Sequence, residues 1–234
     1  MIASGARLRA PVRDRRNMAI HPQIYFTRTG GRTILLDVAG NRYFSLPHTA
    51  EQAFSRLCEE GFLSPVDEAA LRSLSRLGID LHSPRSTLCQ PSPQPARTTL
   101  GEAAQLRPSG LSIAVALVLQ LAARIALKQF GIRAVPLTLR WVRRDEAYLS
   151  NDGARTALLI AAHRKAALFA GRHDRCVEKS LAAAWHLGIA RIRCTVVVGV
   201  RSTPFLAHCW LQRDHCVLND ELDKVTTFTP ILGV

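Results

Sequence analysis

The segment HSPRSTLCQPSPQPARTTL, residues 82–100, most constrains how this chain can fold, because it divides the protein. It is rich in Pro, Ser and Thr and has no hydrophobic period. That composition reads as a semi-rigid linker between domains. A chain of 234 residues has length enough for two domains with hydrophobic cores. A small domain is therefore expected over residues 20–81 and a larger one over 101–234. Residues 1–19 carry a run of Arg and read either as a basic tail or as an artefact of start-site choice, since Met18 opens a cleaner beginning. They lack the apolar stretch of a secretory signal, so a cytoplasmic protein is expected.

Before the linker, the β-rich runs IYFTRT (24–29), TILLDV (33–38) and RYFSL (42–46) are separated by Thr29-Gly30-Gly31 and Gly40-Asn41. They predict three strands, followed by two helices that begin after Pro47 and at Ser64-Pro65. After the linker, helical patterns cover 111–130, 136–149, 153–170 and about 175–187. Strands follow at 191–200, 206–212 and 216–220. Helices first and an antiparallel sheet after them indicate an α+β domain. The apolar stretch 111–130 is interrupted by Gln120, Arg124 and Lys128, so it is expected as a buried core helix and not as a transmembrane segment.

The formal net charge of +13 admits nucleic acid, an anionic membrane surface or an acidic peptide as partner, and an Arg-rich genome would produce the same excess. No RNA-binding signature, zinc-finger spacing or Walker loop is present, and the helix SPVDEAALRSLSRLG is mixed in charge. Nucleic acid is therefore not the expected partner. The six cysteines, at 58, 89, 176, 194, 209 and 216, are expected as thiols in a reducing compartment.

Cys176 falls in the first turn of its helix, where unpaired backbone N–H groups and the helix dipole favour a thiolate. His208 and Asp220 lie on the last two strands. With the intervening turn centred near Asp214, the hairpin register sets His208 directly across from Asp220, close enough for a His–carboxylate bond. A nucleophile, a base and a group that orients the base are the parts of a cysteine-protease triad. A rival pattern, His208-Cys209 repeated as His215-Cys216, hints at zinc. Cys209 points away from His208 on the strand and His215 lies in the turn, so no metal site is expected.

RCVEKSLAAAWHLGI, VVVGVRSTPFLAHCWLQ and CVLND resemble, in order, the Cys-helix, the Pro-Phe and Ala-His-x-Trp run, and the closing strand of the lasso-peptide biosynthesis B proteins. These are transglutaminase-like, papain-like leader peptidases. The resemblance runs from Arg175 to Asp220, and the family's triad falls on Cys176, His208 and Asp220; Cys209 departs from the usual Ala. Residues 20–81 are similar to the winged-helix-like leader-recognition domain fused to such proteases, itself like the pyrroloquinoline-quinone chaperone fold. The resemblance implies that the leader adds as a strand beside Tyr43, Phe44 and Leu46 and a helix bearing Leu71, Leu74 and Leu77. It implies a cysteine peptidase that cuts a lasso precursor between leader and core, and a partner cyclase related to asparagine synthetase. No cofactor of its own is expected, and any ATP dependence lies with that partner. Acyl transfer by the same triad, and a non-enzymatic basic nucleic-acid-binding protein, are the alternatives.

Overall fold

The computed structural model describes residues 19–20, 24–60, 64–75, 79–80, 93–101, 106–142, 152–169 and 175–234. They fall into two compact units. One comprises Met1–His21 with Pro47–Leu88, and the other Pro22–Leu46 with Cys89–Val234. This grouping differs from the division expected at the Pro-rich segment, because the three early strands belong with the later part of the chain.

In the first unit, strand β1 (Ala19–Ile20) pairs antiparallel with β5 (Ile79–Asp80), and helices α1 (His48–Glu60) and α2 (Pro65–Ser75) pack together. Ser64 caps α2: its hydroxyl accepts from Asp67 N–H at 3.2 Å and donates to Asp67 Oδ2 at 2.7 Å. This reciprocal cap satisfies one of the helix's unpaired donors. The Asp67 carboxylate also receives Arg56 Nε from α1 at 3.3 Å, so one acid closes the helix and ties the pair. Leu71 is fully buried in this unit.

In the second unit, β2 (Ile24–Thr29), β3 (Arg32–Asp37) and β4 (Arg42–Ser45) form an antiparallel sheet. Gly30 and Gly31, both at positive φ, make the two-residue turn between β2 and β3. Asp37 closes the β3–β4 loop by accepting from Gly40 N–H at 2.7 Å and from Arg42 Nε at 3.0 Å. From Thr33 onward β3 is buried on both faces. Its Ile34 and Leu36 join the core of the larger sheet, with Val198, Val200, Ile231 and Leu232. Asn41 adds a polar tie, its Oδ1 accepting from Ile132 N–H at 2.9 Å. A strand with two apolar faces cannot stand in a small open domain, which is why these strands pack with the later residues.

The larger sheet has the order β10-β7-β8-β9-β6 and is mixed. β7 (Thr195–Ser202), β8 (Phe205–Arg213), β9 (Cys216–Val217) and β10 (Thr229–Gly233) pair antiparallel, while β6 (Thr98–Thr99) runs parallel to β9. The expected linker is thus not free throughout: residues 93–100 enter the sheet, with Leu100 N–H bonded to Val217 O at 2.8 Å. Residues 82–92 lie outside the described residues. Helix α6 (Cys176–Ile189) packs on β7 and β8, helices α3 (Gly110–Phe130), α4 (Ala134–Val142) and α5 (Gly153–Phe169) pack against α6, and the short α7 (Leu222–Val225) precedes β10. The expected continuation of α4 to 149 lies outside the described residues.

α6 is the central element. Its Leu181, Ala182, Ala183, Ala184 and Leu187 are buried in the main core, which the run of alanines allows by letting neighbouring backbones approach closely. α3 is not the buried core helix that its sequence predicts. Only Ala116, Gln120 and Ala123 of α3 are buried; Ala116 packs with Ala162 and Ala166 of α5, and Ala123 joins the main core. Residues 110–139 are long and apolar enough to cross a membrane by length and composition alone, and 17% of the 18-residue apolar stretch within them is buried.

Candidate active site

Cys176 is the first residue of α6, following Arg175 in non-helical geometry at φ −113°, ψ 49°. Arg175 is held by Glu178 at 3.3 Å across the first turn. Asp174, a residue type that caps helix starts, precedes Arg175 in the sequence and lies outside the described residues. Burial opposes charge on the half-buried Cys176 thiol, but the neighbouring His208 ring and the backbone N–H groups of Cys209 and Val177 favour its anion, outweigh burial and hold the thiol below its ordinary value.

His208 lies on β8, buried, with Nε2 2.5 Å from Asp220 Oδ2. Burial works against the imidazolium, but bonds to Asp220 and Cys176 more than offset it and push the ring pKa up to about 9. For Asp220 burial is again the opposing cause, outweighed by His208, Glu221 N–H and Lys224, so its carboxyl stays below the usual range. Lys224 Nζ stands 3.3 Å from this carboxylate. The three shifts all favour the same charge distribution, with negative charge at Cys176 and Asp220 and positive charge at His208 between them.

The route by which Asp220 reaches His208 differs from the expected one. The β8–β9 register pairs Gln212 with Val217 and Arg213 with Cys216, which moves the hairpin centre half a residue beyond Asp214. Asp220 is then out of register with His208, and β9 ends at Val217. His208 instead pairs with Gly199 of β7. Asp220 comes from the bend after β9, and Asn219 holds that bend. Asn219 Oδ1 accepts from Leu211 N–H at 2.7 Å, and its Nδ2 donates to Ser180 Oγ at 3.0 Å. Ser180 Oγ donates in turn to Cys209 O at 3.1 Å. One polar chain thus fixes α6, the His-bearing strand and the Asp-bearing bend together. Ser180 and Asn219 were not legible as site residues, although Ser180 lies one helical turn after Cys176 and Asn219 adjoins Asp220.

Aromatic rings wall the imidazole. Trp210 stacks at a centroid separation of 6.2 Å and Phe228 lies tilted at 5.2 Å. Gly199 makes this possible, since a Cβ there would stand 2.7 Å from Trp210 Cη2 and 2.9 Å from Phe228 Cβ. Trp210 is 1% exposed and cannot yield. Gly199→Ala is expected to cost about 1–3 kcal/mol, the range for overpacking a filled core. Thermal melts would show it as a lowered midpoint, and an unchanged midpoint would mean that the wall is loose.

The other proposed contact residues divide. Tyr43 is partly buried on β4. Burial first, and then negative charge at Cys176, push its phenol up. Its ring meets Phe205 at 5.5 Å. Tyr43, Phe44, Arg32, Ile34, Ser202 and Phe205 line a cavity of about 220 Å³. Leu46, at 5% exposure, and Leu71, at 0%, are packing residues and present no surface to a peptide. The Leu74 side chain and Leu77 lie outside the described residues. The two His-Cys pairs do not converge: His208 faces Asp220, Cys209 is buried in the core, and His215 Nδ1 contacts Pro95 O at 2.9 Å.

Residues 117–233 match the family model described as the transglutaminase-like superfamily, a span of half the chain. Neither the curated proteins nor the solved structures contain a match to the chain. A Cys at a helix start, a His on a strand and an Asp beyond it, inside a mixed α+β unit that this family model covers, place the chain in the transglutaminase-like superfamily, which includes cysteine peptidases and acyltransferases.

Proposed function

We propose that the chain is a cysteine peptidase that removes the leader from a lasso-peptide precursor. The observation that carries the peptidase reading is the His208–Asp220 bond set beside a half-buried Cys176 whose thiol lies below its ordinary value. The lasso assignment rests on the motif run from Arg175 to Asp220 described above.

In this reading the Cys176 thiolate attacks the scissile carbonyl carbon. The N–H of Cys176, at the first helical position and so without an intrahelical acceptor, is the default donor to the oxyanion. His208 gives its proton to the leaving amine of the core as the C–N bond breaks, leaving a thioester on Cys176. The now neutral His208 takes a proton from water, whose oxygen attacks the thioester and frees the leader carboxylate and the thiolate. Asp220 orients the ring and stabilises its charged form.

For the leader, the support is the edge of β4, which pairs only with β3 among the described residues. An extended peptide can add there, with backbone bonds for affinity and the Tyr43–Phe205 cavity for one side chain. The released core amine would pass to an asparagine-synthetase-like cyclase, which would also account for any ATP dependence.

Mass spectrometry of a precursor incubated with this chain and the cyclase tests the proposal, with an alkylamine added in a parallel reaction. Free leader acid and intact core are the expected products. A leader amide as the main product would establish acyl transfer in place of hydrolysis.

A further inference from the structure

The outer face of α3 has no role in the site described above. Leu111, Ala114, Val118, Leu121 and Ile125 recur at i, i+3, i+7, i+10 and i+14, so they share one side of the helix. All five are exposed, the four large ones between 51% and 76%. The helix, about 31 Å long at 1.5 Å per residue, thus offers a continuous aliphatic stripe over nearly its whole length. Isolated exposed apolar residues need no explanation, but a stripe of this extent marks an interaction surface.

The opposite side of α3 is committed to the fold. Ala116 packs with Ala162 and Ala166 of α5, and Gln120 Nε2 donates to His163 O at 3.1 Å in the interior. The helix therefore does not present itself all round to lipid, as a membrane span would.

The charge around the stripe says what covers it. From residue 103 to 144 the sequence holds no Asp or Glu, but it holds Arg107, Arg124, Lys128, Arg133, Arg140, Arg143 and Arg144. Arg107 precedes the helix, Arg124 and Lys128 border the stripe in the second half, and Arg133 follows the helix end; all four are exposed. An apolar face whose charged neighbours along the helix are all cations complements a surface that is apolar beneath and anionic above. We propose that α3 seats this chain in the plane of an anionic membrane surface, its aliphatic stripe at the acyl boundary and its Arg and Lys side chains among the headgroup phosphates.

The test is flotation of the full chain with vesicles of phosphatidylcholine alone and of phosphatidylcholine with phosphatidylglycerol. Binding to the anionic vesicles is expected to exceed binding to the neutral ones by about tenfold and to fall with added salt. Val118→Glu with Leu121→Glu should abolish it. Arg124→Glu with Lys128→Glu, which leaves the stripe intact, should reduce it by about tenfold or more, each basic group acting near the surface. Both pairs change exposed side chains, so melting curves should match the unchanged chain; if the first pair unfolds, the second still decides. Equal binding to both vesicle types, no binding to either, or unaltered flotation of both variants would overturn the proposal. So would a dimer in sedimentation that the Glu pair dissociates, with no flotation, since a second copy would then be what covers the stripe.

Discussion

Cys176→Ala is expected to abolish precursor cleavage, a loss on the order of 10⁶-fold for a nucleophile that acts as part of a unit. Among the described cysteines, none can substitute for it. Cys194 and Cys209 are buried, and burial pushes the Cys209 thiol far up. Cys216 lies on β9, its sulfur directed to Val217 O at 3.7 Å. The substitution removes one half-buried sulfur at a helix start, so the melting temperature should move little. Cleavage measured by mass spectrometry at the unchanged rate would remove Cys176 from the mechanism, whatever the family.

The second large effect is expected at Asp220. Asp220→Asn keeps the shape of the side chain but loses the charge that raises His208 and selects its tautomer. Activity should fall by roughly 10²–10⁴-fold, the upper end being the loss seen when the orienting carboxylate of a triad becomes an amide. The loss should be smaller than for Cys176→Ala, because a thiol is intrinsically nucleophilic. Asp214→Asn is the control. Asp214 is exposed in the turn at φ 52°, a conformation that Asn also tolerates, and its replacement should be nearly silent. Asp223 sits exposed on α7. A dispensable Asp220 together with an essential Asp214 or Asp223 would mean that the third group had been misassigned.

Local signals in the sequence were sufficient where the structure is local. The start of α6 at Cys176, the Gly30-Gly31 turn, the Ser64 cap and the hairpin around Asp214 all follow from a few adjacent residues. Expectations that depended on distant partners went astray. The constant-sum register put Asp220 opposite His208, but a half-residue shift of the turn moves every pair, and the meeting is made instead by a bend that Asn219 holds through Leu211 and Ser180. The burial of β3 on both faces could be written as TILLDV but not assigned to a partner sheet. β6 is two residues long inside a Pro-rich stretch, and its reason for being a strand lies at Cys216 and Val217. β10 and α7, beyond the expected closing strand, went unread. α3 misled by composition: hydropathy gives the amount of apolar surface, whereas burial depends on what packs against it, and here only one side of the helix is packed while Leu111, Val118, Leu121 and Ile125 face out.

The state of the Cys176 sulfur is what the catalytic reading depends on, and its alkylation can be followed without any substrate. The native chain would be treated with iodoacetamide across a pH series and the rate of modification at Cys176 read by peptide mass spectrometry, alongside His208→Ala. In the unchanged chain the half-point of the rate should lie below about 8.5, the ordinary thiol value. Above about pH 9, as the His208 ring loses its proton, the thiolate should lose its charged partner. In His208→Ala the half-point should return to that of an ordinary thiol. A Cys176 that titrates like an ordinary thiol in the unchanged chain, or a depressed half-point that His208→Ala leaves in place, would contradict the thiolate–imidazolium pair on which the proposed peptidase rests.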